Sequence, residues 1–135
     1  MYKNILVAVA LDHTHDVAGA FAAARSLADE GASVIALNVL EEMPSYVVPY
    51  LPQEHFRSRH ADAETMLKAK LGGVADVKPV VVSGHPGTTI VEYATEHDVD
   101  CIVIASHRPG LQDYFLGSTA GRVVRHAPCA VHVVR

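Results

Sequence analysis

The chain alternates short, continuous apolar runs with longer stretches in which apolar residues recur every three or four positions. The first pattern is typical of strands buried on both faces, and the second is typical of amphipathic helices. The apolar runs predict five strands, over residues 5–9, 33–40, 77–83, 101–106 and 129–134. One helix is predicted between each strand and the next, so strands and helices alternate from end to end.

Glycine and proline mark the ends of the predicted helices. The first helix begins near Val17 and is expected to stop at Gly31, and the second is expected to end at Gly72. Pro86 opens the third helix, because its missing N–H and fixed φ suit the first turn. The fourth helix is short and covers residues 119–126.

This alternation indicates right-handed βαβ units, and therefore an α/β fold with an open, five-stranded parallel sheet. Strands that are apolar on both sides predict helices on both faces of that sheet. Pro79 has no N–H to give to a ladder, so the third strand is expected at an edge. The length of 135 residues fits a single domain, and no repeat or low-complexity tract divides residues 1–135.

Composition narrows the classes of function. The formal net charge of -4 at pH 7 argues against nucleic-acid binding, which requires a basic surface. No apolar run approaches the roughly eighteen residues of a membrane span, so no membrane insertion is expected. Cys101 and Cys129 form no CxxC pair, which favours buried, reduced thiols in a cytoplasmic protein. A disulfide between them is the less favoured alternative.

Residues 102–119 run from a strand through a loop into the fourth helix, and this segment carries the candidate chemistry. Gly117, Ser118 and Thr119 stand where that helix begins, so free backbone N–H groups and the helix dipole can form an anion site there. The alternative is that Ser118 or Thr119 is simply a helix N-cap. The segment has no Gly-Lys-Ser/Thr of a P-loop, and no GxGxxG follows the first strand.

Several motifs resemble those of the universal stress protein family, in register over nearly the whole chain. They are Tyr-Lys-Asn-Ile-Leu-Val at residues 2–7, Gly-His-Pro at 84–86, Asp-Cys-Ile-Val-Ile at 100–104, Leu-Gly-Ser at 116–118 and the C-terminal segment 122–135. The resemblance implies a Rossmann-like sheet of order 3-2-1-4-5, similar to that of the adenine nucleotide α-hydrolases. It also implies an adenine nucleotide ligand (ATP, or else AMP or ADP, with or without Mg) and a homodimer joined through residues 130–134.

Open parallel sheets bind ligands beyond the carboxyl ends of their strands, at the point where the strand order reverses. In the implied order this point lies between the first and fourth strands, and the end of the second strand would reach a base. The apolar loop over residues 43–51 would either cover that base or pack on a neighbouring molecule. The rule that ligands bind where the strand order reverses, together with the family resemblance, assigns nucleotide binding to thirteen residues. They are Ala8, Val9, Ala10, Asp12, Val39, Ile104, Ala105, Ser106, His107, Arg108, Gly117, Ser118 and Thr119.

The sequence departs from the family pattern in the loops beside this point. Ala105 and Arg108 stand where the loop motif has glycines, and Ala8 and Ala10 stand where the family has Pro and Asp after strand one. Asp12 is the nearest acid that could replace that Asp. Arg108 either brings positive charge to a phosphate or is a solvated loop side chain, and both interpretations stay open.

Two hypotheses of different class follow. The first is a nucleotide-binding regulatory protein of the stress response that acts as a homodimer. The second is an interaction module for an unidentified protein partner that has lost nucleotide binding, which the departures favour. No acid–base partner accompanies Ser106. His13 and His15, with Asp12 and Asp16 beside them, could bind a metal, but no second cluster with ligand spacing joins them, and solvated loop histidines are the favoured alternative. We therefore predict neither a catalytic residue nor a metal site. The resemblance implies at most slow ATP hydrolysis or self-phosphorylation on Ser118 or Thr119.

Overall fold

A computed structural model describes residues 1–11, 17–72, 76–106 and 116–135. It contains five strands: β1 (Tyr2–Ala8), β2 (Ala28–Glu41), β3 (Val77–Gly84), β4 (Cys101–Ala105) and β5 (Ala130–Val134). Four α-helices connect them: α1 (Ala18–Leu27), α2 (Gln53–Leu71), α3 (Pro86–Glu96) and α4 (Ser118–His126). A short 3₁₀ turn, Val48–Tyr50, lies between β2 and α2.

The strands form one parallel sheet in the order β3-β2-β1-β4-β5, which confirms the predicted fold class and strand order. Pro79 lies in β3 opposite Ala36 of β2, and β3 is an edge strand as its proline predicted. The other edge is β5, which pairs with β4 alone in the described sheet.

Helices cover both faces of the sheet, as predicted. Alternate side chains of β1 point to opposite faces, so that Ile5 packs in a cluster with α1 and α2 while Leu6 packs in a cluster with α3 and α4. Both side chains are almost fully buried, at 1% and 0% exposed. Burial on both faces is the reason why the strands are continuous apolar runs rather than alternating ones.

The predicted end of the first helix was wrong. Helix α1 ends at Leu27, and β2 begins at Ala28, before the glycine that was expected to stop the helix. Gly31 has a φ of +78° inside β2, where the pairing passes from Tyr2↔Ala28 to Asn4↔Ser33. One residue of β1 and four of β2 lie between these two pairs, so the left-handed glycine belongs to an irregularity in the strand pairing instead of a helix cap.

The other helix boundaries follow the sequence signals closely. Gly72 ends α2 in the left-handed conformation, with a φ of 59°. Pro86 occupies the first turn of α3. In the described part of the chain, none of the helices is both long and apolar enough to cross a membrane.

Both cysteines are free thiols, as the sequence favoured, but only Cys101 is buried as predicted, whereas Cys129 is half-buried. Cys101 is buried in the cluster beneath α1 and α2, whereas Cys129 packs against the cluster on the opposite face of the sheet. Burial is the main cause that raises the pKa of the Cys101 thiol to about 11, and it also raises the pKa of Cys129. The two thiols are therefore protonated at neutral pH, and they belong to different faces of the core.

Candidate functional site

The candidate site lies at the carboxyl ends of β1 and β4. The chain after β1 crosses to β2 on one side, and the chain after β4 crosses to β5 on the other side. The two connections therefore diverge between β1 and β4, which leaves a crevice at this end of the sheet.

A cleft of about 610 Å³ occupies this crevice. Its size is in the usual range for small-molecule sites. Ten of the thirteen residues that sequence reasoning assigned to the site line it: Ala8, Val9, Ala10, Val39, Ile104, Ala105, Ser106, Gly117, Ser118 and Thr119. The other three, Asp12, His107 and Arg108, lie outside the described residues.

Gly117 joins two walls of the cleft. Its φ is +67°, and a Cβ added there would lie 2.5 Å from the carbonyl oxygen of Ser106. Ser106 is itself held in place, because its N–H donates a 2.9 Å hydrogen bond to the Val134 carbonyl of β5. The close neighbour of Gly117 is therefore the chain's own backbone at the end of β4.

The N-terminus of α4 opens into the same cleft. Gly117 is the N-cap residue, and no described side chain caps the helix, so the interpretation of Ser118 or Thr119 as an N-cap was wrong. The first hydrogen bond of the helix runs from the Gly121 N–H to the Gly117 carbonyl, at 2.9 Å. The amides that precede Gly121 in the helix have no carbonyl within the helix to bind, and they carry the positive end of its dipole.

Asn38 is a lining residue that sequence reasoning missed. It is 6% exposed, and its Nδ2 donates a 2.9 Å hydrogen bond to the Val9 carbonyl. That carbonyl can only accept, which fixes the orientation of the amide and leaves Oδ1 as a buried acceptor with no hydrogen-bond partner among the described residues. Such an acceptor costs about 1–3 kcal/mol until a donor reaches it. The sequence signal was a lone polar residue within the apolar run of β2.

A second hollow, of about 380 Å³, adjoins the cleft. The two cavities share four lining residues: Glu41, Pro86, Ser118 and Thr119. The hollow is completed by Glu42, Gly84 and His85, so it joins the carboxyl ends of β2 and β3 to the N-termini of α3 and α4. Sequence reasoning did not assign the two glutamates or the histidine to the site.

The apolar loop after β2 lies away from both cavities. Tyr46 and Tyr50 are 75% and 85% exposed, and no residue from 43 to 51 lines the cleft or the hollow. Within the described ranges, no group of three or more His, Cys, Asp or Glu side chains could hold a metal ion.

A doubly wound, parallel α/β domain with a cleft at its strand-order switch point defines a class of small-ligand-binding proteins. Comparison with known families narrows this class. The profile of the Universal stress protein family matches residues 1–135, and the chain belongs to this family.

Individual relatives agree with this assignment. A putative universal stress protein of Staphylococcus aureus is 35% identical, over 99% of this chain and 84% of its own length. The solved structure of UspA from Lactobacillus plantarum has a TM-score of 0.77 at 31% identity, and the match covers 99% of this chain and 98% of that one. A universal stress protein solved in complex with cAMP has a TM-score of 0.57 at 25% identity, over 99% and 97% of the two chains.

More distant neighbours share the fold. They include the Archaeoglobus fulgidus family member in complex with dAMP, at 20% identity and a TM-score of 0.63. An Arabidopsis thaliana family member with AMP bound has 17% identity and a TM-score of 0.60. Some structural neighbours therefore bind adenine nucleotides.

Proposed function

We propose that this protein is a regulatory protein of the stress response that binds an adenine nucleotide in the 610 Å³ cleft. The observation that carries the proposal is the meeting of three strand ends with the uncapped N-terminus of α4 in one cavity. A helix N-terminus without a capping side chain is suited to a phosphate, which accepts hydrogen bonds from the free amides.

The lining fits the separate parts of a nucleotide. The phosphate would lie at Ser118 and Thr119, whose hydroxyl groups add donors to those of the backbone. The base would lie near Val39 at the end of β2, where the wall of the cleft is apolar.

The relative solved with cAMP supports an adenine nucleotide as the ligand. ATP, ADP and AMP share the adenosine and the first phosphate that the cleft would hold, so all three belong to the proposal, with Mg as the companion ion of ATP. At a concentration of about 100 times its dissociation constant, such a ligand would stabilise the fold by roughly 2.7 kcal/mol.

A cavity-filling variant tests the proposal. Ala10 lines the cleft and is exposed, so Ala10→Trp should obstruct ligand entry without burying a new group in the core. The matched control is Ala22→Trp, at an exposed position of α1 that does not line the cleft. We expect millimolar adenine nucleotide to raise the melting temperature of the wild type and of Ala22→Trp, but not that of Ala10→Trp. Equal shifts in all three proteins, or none in any, would overturn the proposed site.

The second candidate function is a protein-interaction module without a nucleotide. The observation that favours it is the open edge of β5, where Ala130 and His132 are exposed and Val131 and Val133 are half-buried. An open strand edge is a template for pairing with another chain. A homodimer joined through β5 is part of both candidate functions. A cytoplasmic location also belongs to the proposal, because free thiols persist in a reducing compartment.

A further inference from the structure

We propose that His60 and Pro79 close the outer edge of β3 to strand pairing, so that a second copy of the chain can extend the sheet only at β5. The inference concerns how the molecule assembles, and it is independent of whether the cleft binds a nucleotide. Its structural basis is a hydrogen bond from a side chain of α2 to a main-chain carbonyl at the edge of the sheet.

The first step is to establish which main-chain groups of β3 face outward. The Leu37 carbonyl accepts a hydrogen bond from the Val9 N–H, so the main-chain groups of Leu37 point towards β1. Successive residues of a strand direct these groups to opposite sides, so those of Ala36 point towards β3. In a parallel ladder the residue opposite points away, and Ala36 lies opposite Pro79. Pro79 therefore faces outward, and so does Val81 two residues later.

The second step is that both of these outward positions are closed. Pro79 has no N–H, so it cannot donate a hydrogen bond to a further strand. The Val81 carbonyl lies 3.1 Å from Nε2 of His60 in α2. A carbonyl can only accept, so Nε2 carries a proton and donates it. A strand added at this edge would therefore meet a missing donor at one position and an occupied acceptor at the next.

The third step is that the His60 ring is held at the edge. Its Nδ1 lies 3.3 Å from the Glu64 carboxylate, one turn further along α2. The helix itself is anchored on the sheet, because Ala63 and Leu67 are buried in the same cluster as Val81. The side chain of His60 is 45% exposed, so it lies at the surface, where an added strand would have to displace it.

The opposite edge of the sheet lacks the proline. β5 has the sequence Ala-Val-His-Val-Val, and the Val134 carbonyl accepts the Ser106 N–H that follows β4. By the same alternation, Val131 and Val133 direct their N–H and C=O groups outward. Each can both donate to and accept from a further strand, which Pro79 cannot do. The two edges of the sheet are therefore unequal, and β5 is the edge suited to pairing.

Two substitutions should open the β3 edge. Pro79→Val restores an outward N–H, and His60→Ala releases the Val81 carbonyl. We expect the weight-average mass of the double variant in sedimentation to be about twofold or more above that of the wild type, because each molecule gains one further self-complementary contact. The mass should rise with protein concentration. Each single variant should show a smaller increase, since one position stays closed.

A control and a suppressor distinguish edge pairing from the aggregation of unfolded chains. The control combines His55→Ala with Pro49→Val, which removes the same two residue types at exposed positions outside β3 and should leave the mass unchanged. The suppressor is Ser83→Pro, added to the double variant. Ser83 is the next outward-facing residue of β3, so a proline there removes another donor from the same edge and should return the mass towards the wild-type value.

A spectroscopic measurement checks the closing hydrogen bond in the wild type. Long-range ¹H–¹⁵N spectra at about pH 8 distinguish the two neutral forms of an imidazole ring. We expect the neutral His60 ring to carry its proton on Nε2, which donates to Val81.

Three outcomes would overturn the inference. They are a double variant that sediments like the wild type while folded by circular dichroism, an increase in mass that Ser83→Pro does not suppress, and a neutral His60 ring with its proton on Nδ1. None of these results bears on the cleft, so the inference and the proposed function can fail separately.

Discussion

At the scale of single residues, the candidate site depends on a few positions where the surrounding structure restricts which amino acid fits. Gly117 is the clearest, because its positive φ and the nearby Ser106 carbonyl both exclude a Cβ. Asn38 acts through its side chain instead, since its amide holds Val9 in place while its oxygen has no partner among the described residues. Both residues shape the wall of the cleft.

Replacing Gly117 by alanine should destabilise the fold by more than backbone strain alone. Gly72 has a similar φ of +59°, but nothing lies within 4 Å of a Cβ added there, so Gly72→Ala is the matched control for strain. We expect Gly72→Ala to lose about 1 kcal/mol of unfolding free energy and Gly117→Ala to lose at least twice that. Urea denaturation measures both, and equal losses would show that the contact with Ser106 relaxes freely.

The buried thiol of Cys101 makes stability depend on alkaline pH. Its pKa is raised to about 11 in the folded protein, whereas an unperturbed cysteine thiol has a pKa of 9.0. Between these values the unfolded chain loses its thiol proton and the folded chain keeps it, so the stability contribution disappears as pH rises from about 9 to 11. From pH 8 to pH 10.5 we expect the wild type to lose about 2 kcal/mol more than Cys101→Ala, measured by urea denaturation. Parallel pH profiles for the two proteins would contradict this account.

At the scale of secondary-structure elements, the sequence predicted most of the fold because both strand faces are buried and the helix ends carry strong signals. Pro79 located the edge strand, and Gly72 and Pro86 located helix ends, because each acts through its own backbone. Gly31 misled the prediction, since a left-handed glycine suits a β-bulge as well as a helix end, and only the pairing of β1 with β2 distinguishes them.

Backbone signals and topology also decide how much of the candidate site could be predicted from the sequence. The strand ends and the Gly117 turn follow from topology, so their residues could be placed together before any coordinates. The hollow could not, because Glu42 and His85 come from segments 43 residues apart, and they approach each other through the register of β2 on β3, which pairs Glu41 with Gly84 and which the sequence pattern does not fix. Asn38 also escaped notice, because a missing hydrogen bond is visible only in three dimensions.

The open edge of β5 leads to a prediction about assembly. We expect a homodimer in which each β5 pairs antiparallel with its mate across a two-fold axis. Val133→Lys should weaken it, because like charges would lie close across the axis, and Ala130→Lys repeats the test at an exposed position that is not packed in the core. Val48→Lys, at an exposed valine in the 3₁₀ turn, is the control.

Sedimentation at micromolar concentration measures this assembly. The wild type and Val48→Lys should sediment as dimers, and the two β5 variants should shift towards monomer. A monomeric wild type would contradict the interface, as would β5 variants that remain fully dimeric while folded by circular dichroism.

At the scale of the whole molecule, the parallel sheet separates stability from function. The middle of the sheet and its two faces form the core. Helices α1 and α2 cover one face, and α3 and α4 cover the other. The carboxyl end of the sheet carries the cleft and the hollow, and its β5 edge is open for assembly. The central claim is that an adenine nucleotide binds at the carboxyl end of the sheet.

The most direct test of this claim is a titration of ¹⁵N-labelled protein with AMP, followed by amide chemical shifts. We predict saturable shifts that are largest at Ser118, Thr119 and Ala120 in the first turn of α4 and at Asn38 and Val39 in β2. Amides of the β3 edge, such as that of Lys78, should stay unchanged. The absence of saturable shifts at millimolar AMP, or a set of shifts centred away from the carboxyl end of the sheet, would contradict the account.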